Sequence, residues 1–185
     1  MIITRTDLPG VHRIVAEAHG DERGLFARLY CPQEFAEAGI DFTPTQVNLS
    51  TNRRRGTLRG MHFQKPPFAE AKLVRVIEGS AWDVALDLRP GPTRGKWIAE
   101  ELTASGLNAL FIPEGVAHGF LTLRDDTQIL YQMGRLFEPG HGDGVRWDDP
   151  AFDIDWPFAP EIIHDKDRAW PDYATRADLR QETTP

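Results

Sequence analysis

The chain has 185 residues, 41% hydrophobic and 26% charged, which is enough for one buried core in an ordinary folded protein, so one domain over 1–185 is expected. Its net charge of -7 argues against general nucleic-acid binding, which needs a basic surface, and no apolar run approaches the roughly 20 residues of a membrane helix. The single cysteine, Cys31, excludes an internal disulfide, and the opening MIITRTDLPG lacks the pattern of a secretory signal; both lead to the expectation of a reducing cytoplasm.

In chain order, PQEFAEAG reads as two helical turns ended by Gly39. The stretch TLRGMHFQKPP, residues 57 to 67, sets an arginine and a histidine in a strand-like segment, with Lys72 following in the next one. From about residue 72 short strands alternate with turns: KLVRVIEG, AWDVALDL, WIAEEL, ALFIP, FLTL and TQILYQM. Gly79-Ser80, Pro90-Gly91-Pro92 and Pro113-Glu114-Gly115 supply reversals at the spacing of an antiparallel sandwich or barrel. Leu136 to Trp147, rich in glycine, proline and charge, reads as a long surface loop. DYATRADLRQ reads as a short C-terminal helix, within a tail over about 171–185, and the final QETTP as a frayed end.

The ionisable residues of interest, Arg59, His62, Lys72, His118 and Tyr131, lie in strand-like segments or at their ends. Inward side chains from several strands of a small barrel share one interior, so these residues can meet in a pocket of bases and cations. On the residues alone other readings stay open: Lys72 as a solvated strand-end lysine, His62 and His118 as core or rim histidines bonded to backbone. AKLVRVIEG is apolar on both faces and does not say where Lys72 points. A first-row metal wants three or four N, O or S ligands, and only His62, His118 and Gln64 offer themselves; Glu70 lies eight residues from His62, so no metal site is expected.

The segments DERGLF, QVNLS, TLRGMHFQKPPFAEAKLVRVIEGSAWDVALDLR, FIPEGVAHGFLTL, LYQ, RWDDP, IDWP and DKD occur in order over nearly the whole chain. In them the sequence resembles the dTDP-4-dehydrorhamnose 3,5-epimerases. The resemblance implies a mainly β, cupin-type jelly-roll barrel with short peripheral helices and no metal or organic cofactor. It also implies a homodimer in which N-terminal strands cross to the partner's sheet. It further implies His62 as base, oriented by Asp167, Tyr131 as general acid, and Lys72 near the substrate keto group. Arg59 and Arg23, the latter from the partner subunit, match pyrophosphate contacts, and Phe26, Gln46, Asn48 and His118 match further substrate-lining positions.

Two departures from the family pattern bear on specificity. Where the family has a glutamate near the nucleotide base this chain has Arg28, which can only donate hydrogen bonds; it is expected either to alter base preference, towards guanine or cytosine, or to face solvent or a phosphate. Phe137 replaces a tyrosine common in relatives, keeping the ring and losing the hydroxyl, which is expected to slow the enzyme or restrict it to one centre. His164 and Asp165 also stand where a serine often precedes the lysine and aspartate. The leading expectation is epimerisation of a nucleotide-linked 4-keto-6-deoxyhexose at carbons 3 and 5, as in conversion of dTDP-4-dehydro-6-deoxy-D-glucose to dTDP-4-dehydro-L-rhamnose. A one-centre epimerase, a metal-dependent cupin oxygenase or isomerase, and a sugar-nucleotide binder are the alternatives. Without the resemblance the residues lead only to a mostly-β domain with an anion pocket.

Overall fold

Short apolar runs of alternating pattern, cut by glycine and proline turns, fold this chain into two facing antiparallel sheets. In this computed structural model, which describes residues 1–180, strands run at Ile2–Arg5 (β1), His12–Val15 (β2), Ala18–Asp21 (β3), Gly24–Ala27 (β4), Gln46–Asn52 (β5), Thr57–Gln64 (β6) and Lys72–Glu78 (β7). They continue at Ser80–Asp87 (β8), Trp97–Thr103 (β9), Asn108–Ile112 (β10), Val116–Thr122 (β11), Thr127–Met133 (β12), Gly142–Gly144 (β13) and Ile162–Ile163 (β14). Helices are short: Pro32–Glu37 (α1), Asp165–Arg168 (α2) and Ala177–Arg180 (α3).

One sheet has the order β1-β2-β10-β7-β12-β5 and the other β13-β6-β11-β8-β9, with β14 added in parallel to β6. The two form the cupin-type jelly roll. Between them lie Val74, Val76, Leu110, Ile112 and Ile129 from the first sheet against Ala81, Ala85, Leu102, Val116 and Phe120 from the second. The outer face of the first sheet is partly covered around α1 by Phe35, Ile40 and Phe42, which pack on Leu73 and Phe111. The C-terminal segment covers the second, where Val145, Phe152 and Tyr173 meet Met61, Val84 and Leu86. This double coverage explains why β7 and β8 are apolar on both faces: they are central strands with a core on either side.

The chain passes from one sheet to the other between β7 and β8 through Gly79. Its φ is +78°, and a Cβ there would come within 2.5 Å of Thr127 Oγ1, so the turn takes only glycine without rearrangement.

The strands expected from residue 72 onward are present. Strands also precede them: β6 falls in the stretch read as strand-like, whereas β1 to β5 were not expected, β1 to β4 being four residues each with all but β2 largely exposed. The segment from Leu136 to Trp147 is not wholly loop, since β13 pairs there with β6. The C-terminal helix is interrupted: a 3-10 turn at Tyr173–Thr175 precedes the four residues of α3. Gln181 and the rest of the QETTP end lie outside the described residues. The hairpin β3–β4 is a sheet of its own, exposed along nearly its whole length, whereas β1 and β2 join the chain's own first sheet through β10. Among the described residues no helix is long and apolar enough to cross a membrane.

Candidate active site

Successive residues of a strand point to opposite faces, so Arg59 and His62, three apart, should not share a cavity. The structure resolves this with a bulge in β6: His118 of β11 pairs with His62, but Phe120, two residues on, pairs with Arg59, leaving one extra residue on β6. The bulge brings both side chains to one cavity of about 300 Å³ between the sheets, lined also by Asn48, Ser50, Lys72, His118 and Tyr131. Gly60 makes it possible. Its φ is +143° and a Cβ would lie 2.4 Å from Gly119 Cα on the neighbouring strand, so both strands need glycine at the crossing.

His62 also borders a second cavity of about 390 Å³, lined by Gln64, Glu70, Phe137, Lys166 and Asp167 among others, and its side chain is 42% exposed. Its Nε2 lies 2.6 Å from Asp167 Oδ1. Asp167 sits on α2, a single helical turn capped by the His164 ring, which accepts a hydrogen bond from the Lys166 N–H at 3.1 Å. That cap gives the HDKD sequence a physical role. Asp167 Oδ2 in turn accepts from the bulge residue, Gly60 N, at 3.3 Å. Burial pushes the Asp167 carboxyl up, but the His62 hydrogen bond and charge and the Gly60 N–H together outweigh it and hold the group below the usual carboxylate range.

Lys72 and Tyr131 come from the facing sheet, on β7 and β12. Lys72 is buried, not a solvated strand-end lysine. Its ammonium donates to the His62 carbonyl oxygen at 3.2 Å and pairs with Glu70 Oε1 at 3.2 Å, which leaves a third N–H for a ligand. Burial lowers its pKa, and the charges of Glu70 and Asp83 oppose the shift without cancelling it. The Tyr131 phenol is raised well above its ordinary value, chiefly by burial and then by the Asp83 charge. A phenol so placed keeps its proton across the range where imidazole titrates.

Arg59 is oriented by the buried Asn52, whose Oδ1 accepts from Arg59 Nε at 2.9 Å. Gln46 and Asn48 lie on β5, where Gln46 donates to Asn48 Oδ1 at 2.9 Å and accepts from Phe137 N at 3.2 Å. The Phe137 ring is 59% exposed. Arg23, Phe26 and Arg28 do not join the cavity of their own chain. Arg23 and Phe26 are on the exposed hairpin, with Arg23 paired to Asp21. Arg28 binds Glu34 Oε1 at 3.0 Å.

Three positioning groups escaped the sequence reading: Asn52 behind Arg59, Glu70 behind Lys72, and Asp83, whose Oδ2 is 2.8 Å from His118 Nε2. Each is an ordinary polar residue until its partner is seen in the folded chain. Both histidines thus give Nε2 to a carboxylate. Among the described residues no group of three or more His, Cys, Asp and Glu is arranged to hold a metal ion. The arrangement can remove a proton from one side of a bound molecule, stabilise the resulting anion and supply a proton from the other side.

Comparison with known proteins points to the same chemistry. The family model of dTDP-4-dehydrorhamnose 3,5-epimerase matches residues 5–175. An epimerase of that name from Methanothermobacter thermautotrophicus is 42% identical over 170 residues, spanning 90% of this chain and 91% of the relative. The fold is similar to that of dTDP-6-deoxy-D-glucose-3,5-epimerase from Legionella pneumophila in complex with dTDP-4-keto-L-rhamnose, with TM-score 0.90, 31% identity and 96% of each chain covered. It is also similar to a 3'-monoepimerase from Streptomyces bikiniensis in complex with dTDP-quinovose, with TM-score 0.88 and 30% identity over 95% of this chain and 90% of that one. By the extent and level of these matches, the chain belongs to the dTDP-4-dehydrorhamnose 3,5-epimerase family.

Proposed function

We propose that the protein is a cytoplasmic epimerase of a nucleotide-linked 4-keto-6-deoxyhexose, dTDP-4-dehydro-6-deoxy-D-glucose in the first instance, converting it to dTDP-4-dehydro-L-rhamnose within one domain spanning 1–185. The observation that carries the reading is the His62–Asp167 pair on one sheet, facing Lys72 and Tyr131 on the other across a cavity that Arg59 also enters.

Carbons 3 and 5 of such a sugar both flank the carbonyl, so loss of either hydrogen gives an enolate at oxygen 4. His62 takes the proton, with Asp167 orienting the ring and stabilising the imidazolium. Lys72 donates its free N–H to the oxyanion. Tyr131 delivers a proton to the opposite face, and the enolate collapses to the inverted ketone. One base and one acid serve both centres in turn, with no metal or organic cofactor assigned a role.

Arg59 anchors the pyrophosphate through its planar guanidinium. The remaining substrate contacts are proposed to come from a homodimer: Arg23, Phe26 and Arg28 lie on or beside an exposed hairpin outside their own cavity. The edge strand β5 carries Val47 and Leu49, 59% and 55% exposed, which suits coverage by a second copy. Gln46, Asn48, His118 and Phe137 complete the lining. The exposed Phe137 lacks the hydroxyl that the family resemblance leads one to expect at that position, and this favours a one-centre epimerase as the second reading.

Proton NMR and mass spectrometry of dTDP-4-keto-6-deoxyglucose incubated with the protein in heavy water test both readings. Two deuterium atoms incorporated, with or without chelator, are expected for the 3,5-epimerase, and one for the single-centre enzyme. Incorporation that chelation abolishes would favour a metal-dependent cupin instead. Absence of incorporation from every nucleotide sugar tried would overturn the proposal.

A further inference from the structure

Asp83 on β8 is fully buried, with one oxygen, Oδ2, 2.8 Å from His118 Nε2 and the other, Oδ1, without a hydrogen-bond partner among the described residues. A carboxylate left half-satisfied in a core is costly, even with the buried Lys72 ammonium near enough to feel its charge. His118 itself is buried, lines the cavity beside Tyr131 with ring centroids 6.0 Å apart, and stands opposite His62 in the strand register.

The proton chemistry of the pair is constrained. An ionised carboxylate only accepts, so the His118 nitrogen facing Asp83 carries the hydrogen, and in the neutral ring the lone pair is then on Nδ1. The groups around it are rich in donors: the Arg59 guanidinium, the Lys72 ammonium and the Tyr131 hydroxyl. The Asn48 carbonyl oxygen is already taken by Gln46. A hexose brings hydroxyl donors that need acceptors.

We propose that Asp83 is a positioning residue: it fixes His118 as the Nε2–H tautomer, so that Nδ1 accepts a hydrogen bond from a hydroxyl of the bound hexose. The inference rests on the epimerase reading for its ligand. Of the two ring hydroxyls of a 4-keto-6-deoxyhexose, that on carbon 3 moves when its centre inverts, whereas that on carbon 2 keeps its place. A fixed acceptor therefore suits hydroxyl 2, and holds the ring still while its neighbours are deprotonated and reprotonated. The Asp83 charge also contributes to keeping the Tyr131 proton in place.

Ring-nitrogen NMR of the full chain labelled with 15N-histidine, without ligand, tests the tautomer, with His62 as an internal reference. Wild type is expected to show His118 protonated at Nε2 and unprotonated at Nδ1, and Asp83→Asn, which can donate as well as accept, to populate the other tautomer. Turnover supplies the second readout. In wild type, a substrate lacking hydroxyl 2 is expected to lose about 10- to 100-fold in kcat/KM, the worth of a hydrogen bond of about 1–3 kcal/mol. In Asp83→Asn that penalty disappears, and the intact substrate is turned over correspondingly less well.

A His118 ring protonated at Nδ1 in wild type overturns the inference, and this measurement stands even where Asp83→Asn does not fold. So does an unchanged tautomer in Asp83→Asn, or a deoxy penalty of equal size in both proteins. Because the spectrum is recorded without substrate, failure of the epimerase reading and failure of this one are separable.

Discussion

Replacing Tyr131 by Phe separates proton removal from proton delivery. The ring is partly buried and close to its neighbours, with ring centroids 6.0 Å from His118 and 6.5 Å from Phe120. Phenylalanine keeps that packing, so stability changes by only about 1 kcal/mol, the net worth of one hydroxyl interaction. Catalysis loses the acid, and a positioned general acid contributes roughly 10²- to 10⁴-fold, about 3–5 kcal/mol of barrier. His62 is untouched and half-open to solvent, with its side chain 42% exposed, so the proton it abstracts is replaced by solvent deuterium and returned to the same face. Tyr131→Phe should therefore wash deuterium into the substrate while inversion slows by about 10²- to 10⁴-fold, whereas His62→Ala should abolish both. The assay is a time course in heavy water, with exchange read by mass and configuration by proton NMR couplings. Exchange and inversion falling in parallel in Tyr131→Phe, or full turnover in either variant, would refute the division of roles.

Further predictions bear on the surrounding residues. Asp167→Asn should lower kcat by about 10²-fold or more as His62 loses its orienting partner. The Asp167 carboxyl is held below its ordinary value when folded, so its contribution to stability is complete above the unfolded carboxylate pKa and is lost as pH falls through the lowered folded value. Denaturant titrations should show the gap between wild type and Asp167→Asn closing over that acid range and constant above it; a gap that widened on acidification would contradict the assignment. Arg28→Glu should change dTDP affinity by about tenfold, the worth of one charge-assisted hydrogen bond, in isothermal titration; equal affinities would remove Arg28 from base reading. Leu49→Glu, on the open face of β5, should convert a sedimenting dimer to monomer and reduce kcat/KM along with it. A wild type already monomeric at micromolar concentration would exclude the proposed exchange of Arg23.

How far the sequence reached depended on whether a feature was local. The strands from Lys72 to Met133 were legible because every turn but Leu123-Arg124-Asp125-Asp126 carries its own glycine or proline, whereas the double-sided hydrophobicity of β7 became readable only once its central place was known. β1 to β4 were not legible, since β1, β3 and β4 are short and largely exposed, and the four residues of β2 are too few to establish their alternation. Within the site, the residue types of Arg59, His62, Lys72 and Tyr131 could be picked out, but the direction of Lys72 could not, because the His62 carbonyl that it donates to lies on another strand and its near neighbour Glu70 carries no local sign of facing inward. Asn52, Glu70 and Asp83 acquire meaning only through partners seven, two and 35 residues away. The interruption of the C-terminal helix was hidden for a similar reason: Arg176, which follows the 3-10 turn, ties the chain to Asp143 of β13 at 2.7 Å.

The bulge in β6 also sets how this segment can change length. Removing one residue between Arg59 and His62 would restore a regular pairing with β11, a locally more favourable ladder. It would also rotate one of the two side chains out of the cavity and towards the layer occupied by Met61 and Phe63. A deletion here would therefore leave a barrel able to fold, yet parted from either its anion anchor or its base. Spacing between these two residues is thus fixed by the reaction, while the surrounding ladder alone would favour a shorter strand.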